Sequence, residues 1–404
     1  MKSLTKTLLL TTLVVLPLLA PAPAHAARKM EAAVQDDGVF ISNKDIGREA
    51  GLRAARAMGA THIRMNVLWG ARAVVASQRN QTSVPSNITY DFRPWDVAIA
   101  RARAYGMETQ LALTGDPPAW ACGKKRVPYE CDGNKPRIKY WKHFVAAVAD
   151  HFRGTVKRYS LWNEPNWHTW LSPHKKSPLL YRRLVKSGYK AIKRQNRKAE
   201  VVIGELAPHH RPKLSIPPLQ FIREMVCVNK RLKPTKRAKK KCKGKLKFDA
   251  FAHHPYELER KPSFKRPNKD EVTVANLPAL TKLLNKLRKK KLIKPKRKRF
   301  PIYLTEYGYM TENPQVRRRR QIPESRRARW IVNGWKIAQK TPRIKQNLHY
   351  DLVSPPAGAP EGYFDMGLLT STGTPRKSYF KLGNWILEAA ADGKVAKQGP
   401  CSAC

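Results

Sequence analysis

The chain has 404 residues, and 80 Lys and Arg against 29 Asp and Glu leave a formal net charge of +51. A surface this basic keeps copies apart and attracts polyanions of almost any kind, but it does not select a fold. The length exceeds one ordinary domain and suits a closed α/β barrel with insertions, and no stretch after Ala20 is apolar enough to span a bilayer.

Lys2 and Lys6, the apolar run Leu8 to Ala20 and the small-x-small triplet Ala24-His25-Ala26 together read as an export signal over residues 1–26. The apolar run is too short for a membrane span. The mature chain is therefore expected outside the cytoplasm, secreted or held at the cell surface, with no transmembrane segment. All six cysteines lie in the exported part, near one another in pairs: Cys122 with Cys131, Cys227 with Cys242, and Cys401 with Cys404. Export favours disulfides, and pairing by proximity is the simplest connectivity among several. Zinc spacing is missing, so neither a metal nor a cofactor is expected.

Past residue 31 the chain alternates short β-rich runs with amphipathic ones. The expected strands are Gly38 to Ser42, His62 to Trp69, Glu108 to Thr114, Arg158 to Trp162, Val201 to Leu206, Phe248 to His254, Ile302 to Tyr307 and Asn347 to Val353. They are mostly apolar, β-branched or aromatic, as strands covered on both faces should be. Helical patterns follow them at Arg48 to Met58, Trp95 to Tyr105, Tyr140 to Phe152, Leu179 to Gln195, Leu219 to Val228, Leu277 to Leu287, Ser325 to Ala338 and Tyr379 to Ala391. Eight strands with eight helices predict an α/β fold, a (β/α)8 TIM barrel over residues 32–392. It forms a single domain with basic loop insertions, followed by a tail at 393–404 that carries the last Cys pair. An open doubly wound sheet is the rival, but no glycine-rich phosphate loop follows any strand.

In such a barrel, catalytic groups belong at the carboxyl ends of strands. Glu164 ends the fourth strand in Leu161-Trp162-Asn163-Glu164-Pro165, and Glu306 ends the seventh in Leu304-Thr305-Glu306-Tyr307-Gly308. A carboxylate among aromatics at the end of an apolar strand is costly unless it is used. Pairing with an arginine or capping a helix would explain one such glutamate, but two at corresponding strand ends point to paired-carboxylate chemistry. In retaining glycoside hydrolysis one carboxyl protonates the leaving oxygen and the other attacks the anomeric carbon. Asn163 would reach a sugar 2-hydroxyl, and Tyr307 or another phenol would orient the nucleophile.

These motifs and the barrel count resemble clan A glycoside hydrolases, chiefly the family 5 and family 39 groups. The resemblance runs from about residue 32 to 392, with specificity only in the strand-end motifs. It implies Glu164 as acid/base, Glu306 as nucleophile, Arg64 beside them, and His254-Pro255-Tyr256 as the strand-six His-x-Tyr. The segment Phe364 to Leu369 resembles the loop before the last helix. Two departures bear on the sugar. Strand three ends in Thr114-Gly115-Asp116 without the histidine of family 5 cellulases, and strand eight carries Tyr350 and Asp351 where relatives often place tryptophan.

Trp69, Trp120, Trp167 and Trp170 fall in strand-end loops, where aromatic faces would stack on sugar rings; of these, Trp120 and Trp167 are taken as candidate binding residues. A catalytically weak barrel that binds carbohydrate or an anionic envelope polymer is the alternative reading. A dedicated nucleic-acid role finds no support beyond charge, since the basic runs lack interleaved aromatics. Those runs, Lys230 to Lys247 with eleven Lys or Arg and Arg288 to Arg299 with nine, join a helix to the next strand. That puts them on the barrel face away from the active site, where they would form one patch for an anionic cell-envelope or matrix polymer. Arg317 to Arg320 is the comparable cluster at the mouth.

Overall fold

The computed structural model describes residues 29–122, 135–236, 238–311, 321–356 and 364–404. The segment expected to be an export signal, Cys131 and the Arg317 to Arg320 cluster lie outside the described residues. Eight strands form the sheet: β1 (Glu31–Gln35), β2 (His62–Leu68), β3 (Glu108–Thr114), β4 (Arg158–Leu161), β5 (Glu200–Leu206), β6 (Ala250–His253), β7 (Ile302–Tyr307) and β8 (Ile344–Tyr350). Each pairs in parallel with its neighbours, and β1 pairs with β8 to close the barrel. Outside lie α1 (Arg48–Ala57), α2 (Arg93–Ala104), α3 (Ile138–His151), α4 (Ser177–Gln195), α5 (Pro218–Met225), α6 (Leu277–Lys289), α7 (Glu324–Lys340) and α8 (Lys377–Ala391). The protein is a single-domain (β/α)8 barrel.

Each helix buries one stripe against the sheet. In α3 the buried residues are Trp141, Phe144, Val145, Val148 and Ala149, and in α6 they are Leu277, Leu280, Leu283, Leu284 and Leu287. Both sets follow the helical repeat that covers one face. Each leucine so buried contributes about 1.5–3 kcal/mol. Among the described residues, no helix is long and apolar enough to cross a membrane.

One expected strand is displaced. Gly38 to Ser42 is not in the sheet; the first strand is the preceding Glu31–Gln35, paired with β8 and β2. The Asp36 carboxylate accepts the Val39 amide at 3.0 Å and caps a helical turn over Asp37–Phe40, which turns the chain out of the barrel. The last strand likewise begins three residues before the expected Asn347.

Two irregularities set up the site. Between Ile203 and Leu206, β5 spends three residues against two on β6, and between Leu304 and Tyr307, β7 spends three against two on β8. Such bulges shift the inside–outside alternation and re-aim a side chain. The β5 bulge contains Gly204 at φ 114° and Glu205 at φ 49°. A Cβ at Gly204 would lie 2.3 Å from the Ala252 carbonyl oxygen, so only glycine fits there.

The basic loops meet. Leu246–Phe248 pairs in parallel with Ile293–Pro295, bringing Lys247 opposite Lys294, and a Cys227–Cys242 disulfide closes the first loop. A second disulfide joins Cys401 and Cys404, and Cys122 is also disulfide-bonded. The tail crosses the start of the barrel: Met30 and Ala396 donate to Lys394 and Met30 carbonyls, and Gln398 donates to the Arg56 and Ala60 carbonyls.

Candidate active site

At the carboxyl ends of the strands the side chains converge on one buried guanidinium. Arg64, on β2, donates to Glu306 at 3.1 Å, Asn163 at 2.9 Å and Glu205 at 3.3 Å, and also to Gln35. Glu205 on β5 is fully buried. It accepts from Thr305, Ser160 and, at 2.9 Å, His254. Burial pushes its carboxyl up, but Arg64, followed by His254 and Ser160, outweighs that and holds it down to about 2. Glu205 is therefore ionised and fully engaged.

His254 sits at the centre. Nε2 faces Glu205, while Nδ1 lies 3.0 Å from Glu164 and 3.4 Å from Glu306. Burial pushes the imidazolium down, yet Glu306, Glu164 and Glu205 overcome it and raise it to about 10. The ring is protonated and donates from both nitrogens. Glu164, His254 and Glu306 each present one donor atom within 4.8 Å of the others, the single such trio among the described residues.

Glu164 and Glu306 differ in their surroundings. Glu306 accepts from Arg64 and, at 3.1 Å, from the Tyr256 hydroxyl; Glu164 accepts from His254. Burial and repulsion from Glu164 push the Glu306 carboxyl up, while His254 and Arg64 pull against them. Two such carboxyls resist ionising together, so one takes a proton first. Arg64 and Tyr256 hold the Glu306 oxygens in place, whereas Glu164 has His254 as its partner. Burial, followed by Glu306, pushes the Tyr256 phenol well up, so it remains a donor.

Both carboxyls open onto a cleft of about 770 Å³ that also takes in Asn66, Asn163, Trp167, Trp170, Arg211, Tyr256, Tyr350 and Phe364. Local backbone explains the presentation. Trp162 and Glu164 adopt φ of 74° and 36°, the Glu164 amide donates to the Glu205 carbonyl, and the Trp167 amide donates back to Glu164. This tight turn carries Asn163, Glu164 and Trp167 to the rim.

The candidates from sequence divide. Glu164, Glu306, Arg64, Asn163, His254, Tyr256 and Trp167 come together here. Tyr307 does not, because the β7 bulge turns Glu306 inward and Tyr307 outward, where its hydroxyl presses on Gly334 of α7. Trp120 is also apart. It is 1% exposed, donates to the Gln78 carbonyl and packs edge-on against buried Trp69, as part of the core beneath α3. Glu205, Asn66 and Arg211 were missed. For Glu205 the signal existed: an acid after glycine in an otherwise apolar strand.

No protein-family model and no curated protein sequence matches the chain. Solved structures do. A family 39 glycoside hydrolase from the gut symbiont Bacteroides cellulosilyticus WH2 aligns with TM-score 0.59 at 16% identity, over 89% of this chain and 64% of that one. A monomeric β-xylosidase from Caulobacter crescentus CB15 gives 0.56 at 16%, over 90% and 68%. Xylanase 10B from Thermotoga petrophila RKU-1 gives 0.54 at 14%, over 89% and 96%. This chain thus spans under two thirds of the first of these proteins. Identities this low carry the fold alone: the chain has a (β/α)8 barrel similar in fold to glycoside hydrolases of several families.

Proposed function

We propose that the chain is an exported retaining β-glycosidase, nearest the family 5 and family 39 groups, with Glu164 as acid/base and Glu306 as nucleophile. One observation carries the reading: oxygens of the two strand-end carboxyls lie within 4.8 Å across an open cleft. Retention asks for carboxyls about 5–5.5 Å apart, whereas inversion needs about 6.5–9.5 Å to admit a water. In the first step a Glu306 oxygen bonds to the anomeric carbon as the glycosidic C–O bond breaks. The Glu164 proton passes to the leaving oxygen. In the second, Glu164 takes a proton from water, whose oxygen attacks the anomeric carbon and releases Glu306. His254 stabilises the Glu164 carboxylate formed between steps. Asn163 accepts from Arg64 through its oxygen, which leaves its amide nitrogen to donate to a sugar 2-hydroxyl.

Export is supported by the disulfides, which persist in oxidising compartments. The reading also gives the paired ends of the basic loops a role: Lys236 turns to a groove beside the cleft, but Lys247 and Lys294, which precede β6 and β7, would hold the enzyme on an anionic envelope or matrix polymer. Exchanging Lys247 and Lys294 for serine should weaken salt-sensitive retention there, and unchanged retention would exclude the tether.

Azide rescue tests the catalytic roles. Glu164→Ala should slow substrates with poor leaving groups by about 10²–10⁴-fold, slow activated aryl glycosides far less, and regain turnover with azide. Glu306→Ala should be inactive on both. Equal loss in the two variants without rescue would remove the assignment, and absence of wild-type turnover would favour a carbohydrate-binding barrel.

A further inference from the structure

The cleft is basic on one side of the catalytic pair only. On one wall the loops following β4 and β5 are stitched together: Trp167 bridges Ser215, and His168 and Ile216 exchange backbone hydrogen bonds with Leu214 and Asn166. This wall carries Arg211, whose guanidinium lies 5.9 Å from the Trp167 ring centroid. Among the described residues, that guanidinium has no hydrogen-bond or ion-pair partner. His209, on the same wall, has both ring nitrogens unpartnered. Burial, with Arg266 and Arg211 adding to it, pushes its imidazolium down to about 3, so it is neutral and offers one N–H.

Behind the Trp167–Ser215 bridge the same loops line a second groove of about 550 Å³. His174, Lys175, His210, Lys213 and Lys236 face it, with Glu224 as the one acid. The opposite wall presents Asn66, Tyr350 and Phe364, and behind it, at the ends of β1 and β8, stand carboxyls rather than cations. Burial raises Asp36 to about 7 and Asp37 to about 6, and Asp351 rises well above the carboxylate range through burial and repulsion from Asp36 and Glu306. Asp37 accepts from Asn66, which lines the cleft.

Glu164 stands at the basic wall, beside Trp167. A general acid protonates the leaving oxygen, so the leaving sugar lies on its side. We infer that the leaving-group subsites of this cleft bind an anionic saccharide unit, a uronate or a sulfate ester, through the unpaired Arg211 beside Trp167 and the basic groove behind it. An anion in the opposite subsite would lie beside Glu306 and meet Asn66, Tyr350 and Phe364, with no unpaired cation among the described lining residues there, so the sugar attacked by Glu306 is uncharged. A guanidinium suits either oxyanion, because its planar fork matches both.

This inference rests on the glycosidase reading, and the test separates them. Three β-linked disaccharides would share one neutral attacked sugar; the leaving sugar would be neutral, C6-carboxylated or sulfated. The anionic forms should exceed the neutral one by at least about tenfold in kcat/KM at low salt, narrowing as salt screens the contact. The larger of the two arms identifies the anion. Arg211→Ser with Lys213→Ser should abolish the preference, while Lys247→Ser with Lys294→Ser, on the far face, should preserve it. Equal handling of the three, or a preference that survives loss of Arg211 and Lys213, overturns the inference. If none is turned over, the glycosidase reading fails; equilibrium binding of the same disaccharides then decides the inference, tighter binding of the anionic forms upholding it and equal binding overturning it.

Discussion

Each end of the barrel holds an arginine ringed by carboxylates, fully buried in one ring and partly buried in the other, and the two rings behave differently. At the amino-terminal end Arg158 donates to Glu31 at 2.7 Å and Glu200 at 2.9 Å, with Gln110 and the Tyr303 hydroxyl beside it. Tyr303 donates to Glu200 and lies under the guanidinium, 3.9 Å from its ring centroid. Burial works against Glu31, yet Arg158 and His62 still hold its carboxyl below the ordinary range. Every charge there is answered. At the carboxyl-terminal end Arg64 answers Glu205 but leaves Glu306 pushed up and Glu164 sharing one imidazolium. Buried ion pairs alone mark architecture as often as function. A carboxyl kept from settling, with a cleft before it, marks chemistry.

The largest test of this contrast removes each arginine. Arg64→Met should cost about 3–5 kcal/mol, because it leaves buried Glu205 and Glu306 without a counter-charge, and Arg158→Met should cost less, because Glu31 and Glu200 reach solvent. Denaturant unfolding reads that loss. Only Arg64→Met should also suppress turnover; comparable loss of kcat in folded Arg158→Met would erase the distinction between the ends.

Acidity probes the carboxyl-terminal ring next. His254, raised to about 10, contributes stability that is complete below its unfolded value near 6.5 and fades as pH climbs towards 10. Glu205, depressed to about 2, contributes stability that is complete above its unfolded value near 4.5 and fades as pH falls towards 2. The melting temperature should therefore be flat between these windows and fall by several degrees on either side. His254→Gln should remove its share of the alkaline fall; an unchanged alkaline limb would mean that the ring is neutral.

The smallest effect compares two phenols. Tyr256→Phe removes a donor to Glu306 and should lower kcat/KM by about tenfold, close to one charge-assisted hydrogen bond. Tyr303→Phe removes a donor to Glu200 and should leave kcat/KM alone. Steady-state kinetics on a neutral aryl glycoside distinguishes them, and equal loss in both would place the two rings in one coupled network.

Much of the architecture was legible because barrel strands and their covering helices carry distinct apolar periods. Seven of the expected strands overlap those observed, from His62 onward. The first was misplaced because Glu31-Ala32-Ala33-Val34-Gln35 has weak β propensity, whereas Gly38 to Ser42 looks apolar and is claimed by the Asp36 cap. Glu164 and Glu306 were legible as acids in apolar, aromatic settings. Trp120 and Tyr307 carried the same kind of signal and lie away from the cleft.

The chain by itself determined the barrel count, the alternation of element types and the position of acids at strand ends, since local pattern and burial demand them. Which way those side chains point was decided only by the closed barrel. A single extra residue in β5 and in β7 shifts the alternation, turning Glu205 and Glu306 inward and Tyr307 outward. The partnership of Arg64 with Glu205, and of His254 with three carboxyls, spans strands remote in sequence. The charge held at each group follows from those distances, which no local pattern encodes.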